Sequence, residues 1–429
     1  MTNVDALMEL LRIPSVSTIH QGIDECAQKV EEYLMDAGFQ AQVIQTSGHP
    51  VVFGEKKGKS DKTLLFYDHY DVQPPEPLDE WESPPFEPEI RDNRLYARGV
   101  ADNKGNIMAR IEAVRAFDTL PVTIKFLIEG EEEIGSPHLE PFVRAHAHLL
   151  KADGCIWEAG YKDEVGHPCM YCGVKGLCYV ELTAHGANRD LHSASAVIVE
   201  SPVWKIVQAL ASLKDTKEQI LIKGFYDDIQ PPSKSELNLL HEIPYDGDLT
   251  KKMLAIDSFL LNISDIEAVF RTLYAPSCNI CGILSGYTER GSKTVLPSKA
   301  MAKVDFRLVP DQDPQKIYRL LRNHLKDHGF EDIDVKLLGP LWPAKTPIDN
   351  RLIAVVKEAM KAVHHKPPII YPTMSGSGPM WLFTRELNIP TVSIGVGDAS
   401  SHPHSPNESI NLTDYQEGIR VIQEIIAHF

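Results

Sequence analysis

The amino-acid sequence predicts an α/β fold, with one discontinuous α/β domain assembled from both ends of the chain and a smaller ferredoxin-like α+β domain inserted between them. Three observations predict it. Apolar strand-like runs alternate with amphipathic helical stripes over the first third, the pattern of a sheet covered by helices. The middle changes to the order β-α-β-β-α-β, that of a ferredoxin-like domain. Beyond Pro340 the first pattern returns. With 429 residues the chain is also too long for one ordinary hydrophobic core.

The elements follow in order. Ile23, Cys26, Ala27, Val30, Tyr33 and Leu34 recur at helical spacing, and Gly38 follows as a stop. The apolar run 63–67 fits a strand buried on both faces. Residues 103–117 read as a helix with Ile107, Ile111 and Val114 on one side, 122–128 as a second strand and 154–157 as a third. In the middle, strands are expected at 177–184, 277–284, 300–309 and 333–338, with helices at 202–213 and 314–328. The mixed stretch 214–276 reads as an insertion within this second domain. Leu352, Val355, Val356, Ala359 and Val363 form a helical stripe, 391–394 a short strand, and Ile419, Ile422 and Ile426 a closing helix. The expected domains are therefore 1–174 with 341–429, and 175–340.

Composition narrows the function. Forty-three basic against sixty acidic residues give a formal net charge of −17. A nucleic-acid binder needs a basic face for phosphates, and an anionic membrane surface makes a similar demand, so neither partner is expected. The start, Met1-Thr2-Asn3-Val4-Asp5, lacks a basic region followed by an apolar run, and no stretch is long enough to span a bilayer. A cytoplasmic protein is expected. Cys169-x-x-Cys172 and Cys278-x-x-Cys281 carry the spacing of a four-thiolate zinc site. Both lie in strand-like runs, where residues three apart face opposite ways, so buried structural cysteines are the expectation.

Five segments at strand ends or loops carry ligand chemistry. In Asp68-His69-Tyr70-Asp71, His69 and Asp71 project together, and a ligating imidazole usually has its second nitrogen fixed by a carboxylate. Asp102 stands just before a helix, where it caps the helix or bridges two cations. Glu131-Glu132-Glu133 follows an apolar strand, a position where α/β sheets place their sites. Three adjacent glutamates repel one another there unless cations or solvent intervene. Glu158 ends a short buried strand, and His402-Pro403-His404-Ser405-Pro406-Asn407-Glu408 follows the last strand. Histidine with aspartate and glutamate suits a catalytic zinc pair, or manganese or cobalt in its place.

In order and rough spacing, these motifs resemble the M20 metallopeptidase family of dipeptidases, carboxypeptidases and N-acyl amino-acid deacylases. The resemblance covers nearly the whole chain. Tyr70-Asp71-Val72-Gln73-Pro74 and Phe306-Arg307-Leu308-Val309-Pro310 look closest to the dipeptidase branch. It implies two divalent metal ions per chain, zinc in the first instance, bridged by Asp102. His69 and Glu158 would complete one shell, and Glu133 and His404 the other, with His402 the alternative to His404. Asp71 would orient His69, and Glu132 would be the general base. The inserted domain would be a lid and dimerisation domain whose closure catalysis needs. In it His192, within Asp190-Leu191-His192-Ser193, would reach a neighbouring subunit's site in a homodimer. Thr294 and Arg307 would contact the substrate, as would Ser377 in the glycine-rich loop. The implied substrates are dipeptides or short peptides, with acetyl- or succinyl-amino acids as the rival class. Two positions depart from the pattern. Asp68 replaces a small residue and adds negative charge near the metals. Glu158 stands where dipeptidases can have aspartate, which leans toward the deacylase and carboxypeptidase branches.

Overall fold

The computed structural model describes residues 4–429, and they form two compact units. The first comprises the chain up to Gly173 with Lys345–Thr373 and Pro379–Phe429; the second comprises Val174–Ala344 and Met374–Gly378.

The first unit is built on an eight-stranded mixed sheet. Its spatial order is Gln40–Ile44, Val51–Lys56, Thr123–Glu129, Thr63–His69, Gly154–Trp157, Thr391–Ser393, Cys169–Tyr171 and Ile369–Tyr371. Four central neighbours, from Thr123–Glu129 to Thr391–Ser393, run parallel. Every residue of Thr123–Glu129 is buried, as are all of Thr63–His69 except Thr63. That burial explains their continuous apolar runs, because both faces are covered. Thr63–His69 runs two residues past the apolar stretch, keeping register with its neighbour as far as His69 opposite Glu129. His69 therefore ends a parallel strand and lies at the carboxyl edge of the sheet.

Helix Gly105–Arg115 carries an unusual core residue, Arg110, whose guanidinium is fully buried. It donates to the carbonyl oxygens of Tyr67, Glu158 and Ile394, tying together the ends of three parallel strands. Its charge is balanced by Asp68 at 2.7 Å. The edge strand Gln40–Ile44 and the pair Cys169–Tyr171 with Ile369–Tyr371 have no long apolar run in the sequence. They are short or only partly covered, so hydrophobic patterning does not mark them.

The second unit holds a four-stranded antiparallel sheet in the order Ser277–Ser285, Lys299–Leu308, Gly176–His185, Asp334–Leu341. Helices Pro202–Leu213 and Pro314–Asp327 pack against it. Alternate residues such as Val180, Leu182, Val304 and Phe306 form its core with Ile206, Leu210, Ile317 and Leu321. The stretch between Leu213 and Ser277 contains the short helices Lys234–Leu240, Gly247–Met253 and Asp265–Tyr274. Segment Met374–Gly378 joins this unit because its backbone and Ser377 bond to it, with Lys175 N–H on the Gly376 carbonyl at 2.9 Å and Ser377 Oγ on the Gly176 carbonyl at 3.1 Å.

All seven cysteines are free, and the two C-x-x-C pairs belong to different units. Cys169, Cys172 and Cys278 are buried, as expected. Cys281 is exposed: it lies three residues from buried Cys278 on a sheet-edge strand that is exposed along most of its length. No helix among the described residues is long and apolar enough to cross a membrane.

Candidate metal centre

Sheet topology brings three strand ends of the first unit to one edge: His69 ends one strand, and the segments after the other two carry Glu132–Glu133 and Glu158. Asp102 arrives from the loop before helix Gly105–Arg115. Its backbone, at φ −133° and ψ 86°, departs from the helical path and turns the residue out of the helix. Gly99 makes this loop possible. It sits at φ +83°, and a β-carbon there would lie 2.4 Å from Val72 Cγ1.

The contacts resolve into two groups sharing one residue. His69 Nε2 is 3.0 Å from Asp102 Oδ1 and 3.7 Å from Glu158 Oε2. His404 Nε2 is 3.0 Å from Asp102 Oδ2 and 3.3 Å from Glu133 Oε2. Asp102 thus turns one carboxylate oxygen toward each group. It is His404, and not His402, whose ring meets Asp102 and Glu133. His69, Asp102 and Glu133 each offer a ligand atom within 4.8 Å of the others.

These spacings fit a pair of cations. Two ligand atoms bound tetrahedrally at about 2.1 Å from a zinc ion lie about 3.4 Å apart, close to the distances within each group. Glu133 Oε1 and Glu158 Oε2 are buried with no hydrogen-bond partner among the described residues, a costly state for a carboxylate oxygen unless a cation meets it. The donor set, imidazole with carboxylate, is that of zinc, manganese or cobalt.

Electrostatics carry the same message. Burial, reinforced by the charge of Asp102, pushes the Glu133 carboxyl up to about 8. Burial and neighbouring carboxylates push Glu132 up to about 7 and Glu158 well above its ordinary value. Burial opposes ionisation of Asp102, but hydrogen bonds with His404 and His69 hold it well below the usual carboxylate range. The Asp102 hydrogen bond raises His404 to about 9, against the opposing effect of burial. Burial would lower His69, yet Asp102 and Asp71 hold it well above its ordinary value. Carboxylates packed this densely repel one another, and divalent cations would supply the counter-charge to keep them ionised.

The supporting residues are less local. His69 Nδ1 lies 3.0 Å from the main-chain carbonyl of Asp71 and 3.5 Å from its carboxylate. That carboxylate accepts the backbone N–H groups of Glu132 and Glu133 at 3.2 and 3.1 Å. Asp71 therefore fixes both the imidazole and the glutamate turn. Gln73 donates to Glu133 Oε2 at 2.9 Å. Glu408, fully buried, accepts the N–H groups of Gly99, Ala101 and Asp102 and pairs with Arg98 at 2.7 Å. The whole loop that presents Asp102 hangs on this one side chain. Asp68 is partly matched within the fold: its Oδ1 pairs with Arg110 at 2.7 Å and accepts from Asn103 at 3.1 Å, while its Oδ2 is buried with no hydrogen-bond partner among the described residues. Alternation along the strand places Asp68 and His69 on opposite faces.

The remaining sequence-derived residues lie in the second unit and form two pairs. His192 is paired with Val295 in a two-residue ladder, and Ser193 N–H reaches the Thr294 carbonyl at 3.1 Å, so His192 and Thr294 are neighbours. Arg307 donates to Ser377 Oγ at 2.9 Å and lies 3.4 Å from Asp305.

Comparisons with known proteins point the same way. A sequence profile described as peptidase family M20/M25/M40 matches residues 65–428. The Beta-Ala-His dipeptidase of Homo sapiens is 30% identical over 391 residues, 87% of this chain and 76% of that one. The Cys-Gly metallodipeptidase DUG1 of Saccharomyces cerevisiae is 28% identical over 460 residues, 99% of this chain and 94% of the other. Among solved structures, the M20 family metallo-carboxypeptidase Sso-CP2 from Sulfolobus solfataricus superposes with a TM-score of 0.95 at 39% identity, covering 99% and 98% of the two chains.

Proposed function

The chain belongs to peptidase family M20/M25/M40 and is a peptide-bond hydrolase; from that premise we propose that it cleaves dipeptides or short peptides at a pair of zinc ions. The observation that carries the reading is Asp102, with one carboxylate oxygen toward His69 and Glu158 and the other toward Glu133 and His404. Those five residues would hold the metals. When bound, the ions supply Lewis acidity that polarises the scissile carbonyl and acidifies a water.

Glu132 acts as general base, taking a proton from that water and handing it to the leaving amine. Asp71 holds His69 and the glutamate turn in register. His192 stabilises the developing oxyanion, and Arg307, oriented by Ser377 and flanked in function by Thr294, pairs with the substrate carboxylate through its planar fork. The dipeptidase names of the relatives support the peptide reading. The similarity to a metallo-carboxypeptidase favours a second version, removal of carboxyl-terminal residues from longer peptides.

The test is a panel of dipeptides, longer peptides, and acetyl- and succinyl-amino acids, with zinc, manganese and cobalt in turn. Peptides are expected to turn over, a chelator to abolish the activity, and metal analysis to find about two ions per chain. Turnover of the acyl-amino acids alone would replace peptidase action with deacylation. Full activity after chelation would end the metal mechanism.

A homodimer through the second unit is part of the same proposal. Its edge strand Ser277–Ser285 leaves Ile280, Ile283 and Leu284 exposed, surface that a two-fold partner would cover. Sedimentation is expected to give the mass of two 48.0 kDa chains, and a single-chain mass at micromolar concentration would exclude it.

A further inference from the structure

A cleft of about 330 Å³ opens in the first unit between the segment that follows Glu158 and the segment that precedes His404. The former contributes Tyr161 and Glu164, the latter Asp398 and Pro403. Tyr171 and Tyr371, partners in a parallel strand pair, complete the wall and stack with ring centroids 5.0 Å apart. All three tyrosines are half-buried, so their rings still meet solvent. Tyr161 also lies close enough to the metal cluster for Asp102 and Glu158 to add to the effect of burial on its phenol.

The charges around the cleft leave a negative excess. Lys162, a cation on its wall, is held at 2.6 Å by both Asp414 and Glu417. Asp398 is matched by Arg94 at 2.7 Å, and Asp163 lies 3.1 Å from His167 Nδ1, a ring that balances it only when protonated. Glu164 is exposed and has no ion pair among the described residues. Aromatic faces attract cations, and an unmatched carboxylate at the mouth adds to that attraction. The methylene stem of a long basic side chain would lie along the rings while its head reaches Glu164.

We propose that this cleft is a side-chain subsite for a lysine or arginine residue of the peptide substrate, positioned by Tyr161, Tyr171 and Tyr371 and selected by Glu164. The inference rests on the peptidase reading and adds the chemical class of the substrate. The test compares kcat/KM of the metal-loaded enzyme for Ala-Lys and Lys-Ala with Ala-norleucine and norleucine-Ala, which keep the stem and lack the ammonium. Lysine is expected to exceed norleucine by about tenfold in one of the two pairs. Glu164→Gln and Tyr371→Leu should each bring that ratio toward one. Cleavage of all four peptides without a lysine preference, or a ratio unchanged in either variant, overturns the subsite and leaves the peptidase reading standing. No cleavage of any peptide by enzyme carrying two metals would instead sink the peptidase reading, and the subsite with it.

Discussion

Glu132→Ala is expected to lower kcat by about 10² to 10⁴-fold, the usual contribution of a positioned general base. Metal content and thermal midpoint should stay near those of the parent. The expectation of intact folding has a structural basis, since the bond that anchors the glutamate turn to Asp71 is made by the backbone N–H of residue 132, which alanine keeps. Relieving one buried carboxylate among several also removes repulsion. Steady-state kinetics with metal analysis on the same preparation checks the result. Near-parental turnover would show that another group moves the proton.

Glu408→Ala should be the more destructive change, although it touches no metal. It removes the partner of a buried guanidinium and the shared acceptor of three backbone N–H groups. Breaking a buried pair from one side costs about 3–5 kcal/mol, because the other charge is left without compensation. The loop from Arg98 to Asp102 then loses what fixes it, so a large fall in metal affinity should accompany the loss of stability. Denaturant titration and metal competition measure the two effects separately. A variant as stable as the parent that still binds two ions would show that Glu408 does not hold the loop.

The contrast between these two glutamates explains what the sequence reveals. Glu132 and the proposed metal ligands are legible because each follows an apolar strand or precedes a helix, and such junctions carry local signals. Glu408 appears within the His404 run, yet its role cannot be read there. Its partner Arg98 lies 310 residues away, and no periodicity links them. The partner of Asp68 is hidden for the same reason, since Arg110 sits on a helix whose pattern gives no hint of a buried cation. The central strands are legible from continuous burial, whereas Gln40–Ile44, partly exposed along its length, is not. Hydrophobic patterning reports burial, and it is silent about which distant charge meets which.

The split construction of the first unit has a consequence for how the protein comes into being. A ribosome makes His69, Asp102, Glu133 and Glu158 early, then spends more than 170 residues on the second unit before His404 and Glu408 appear. Until then Asp102 can meet His69 but not His404, and the loop that presents it waits for its anchor. Assembly is thus ordered by translation itself: a half-made molecule carries an incomplete charge balance, and the contacts around Asp102 close only once His404 and Glu408 have been made.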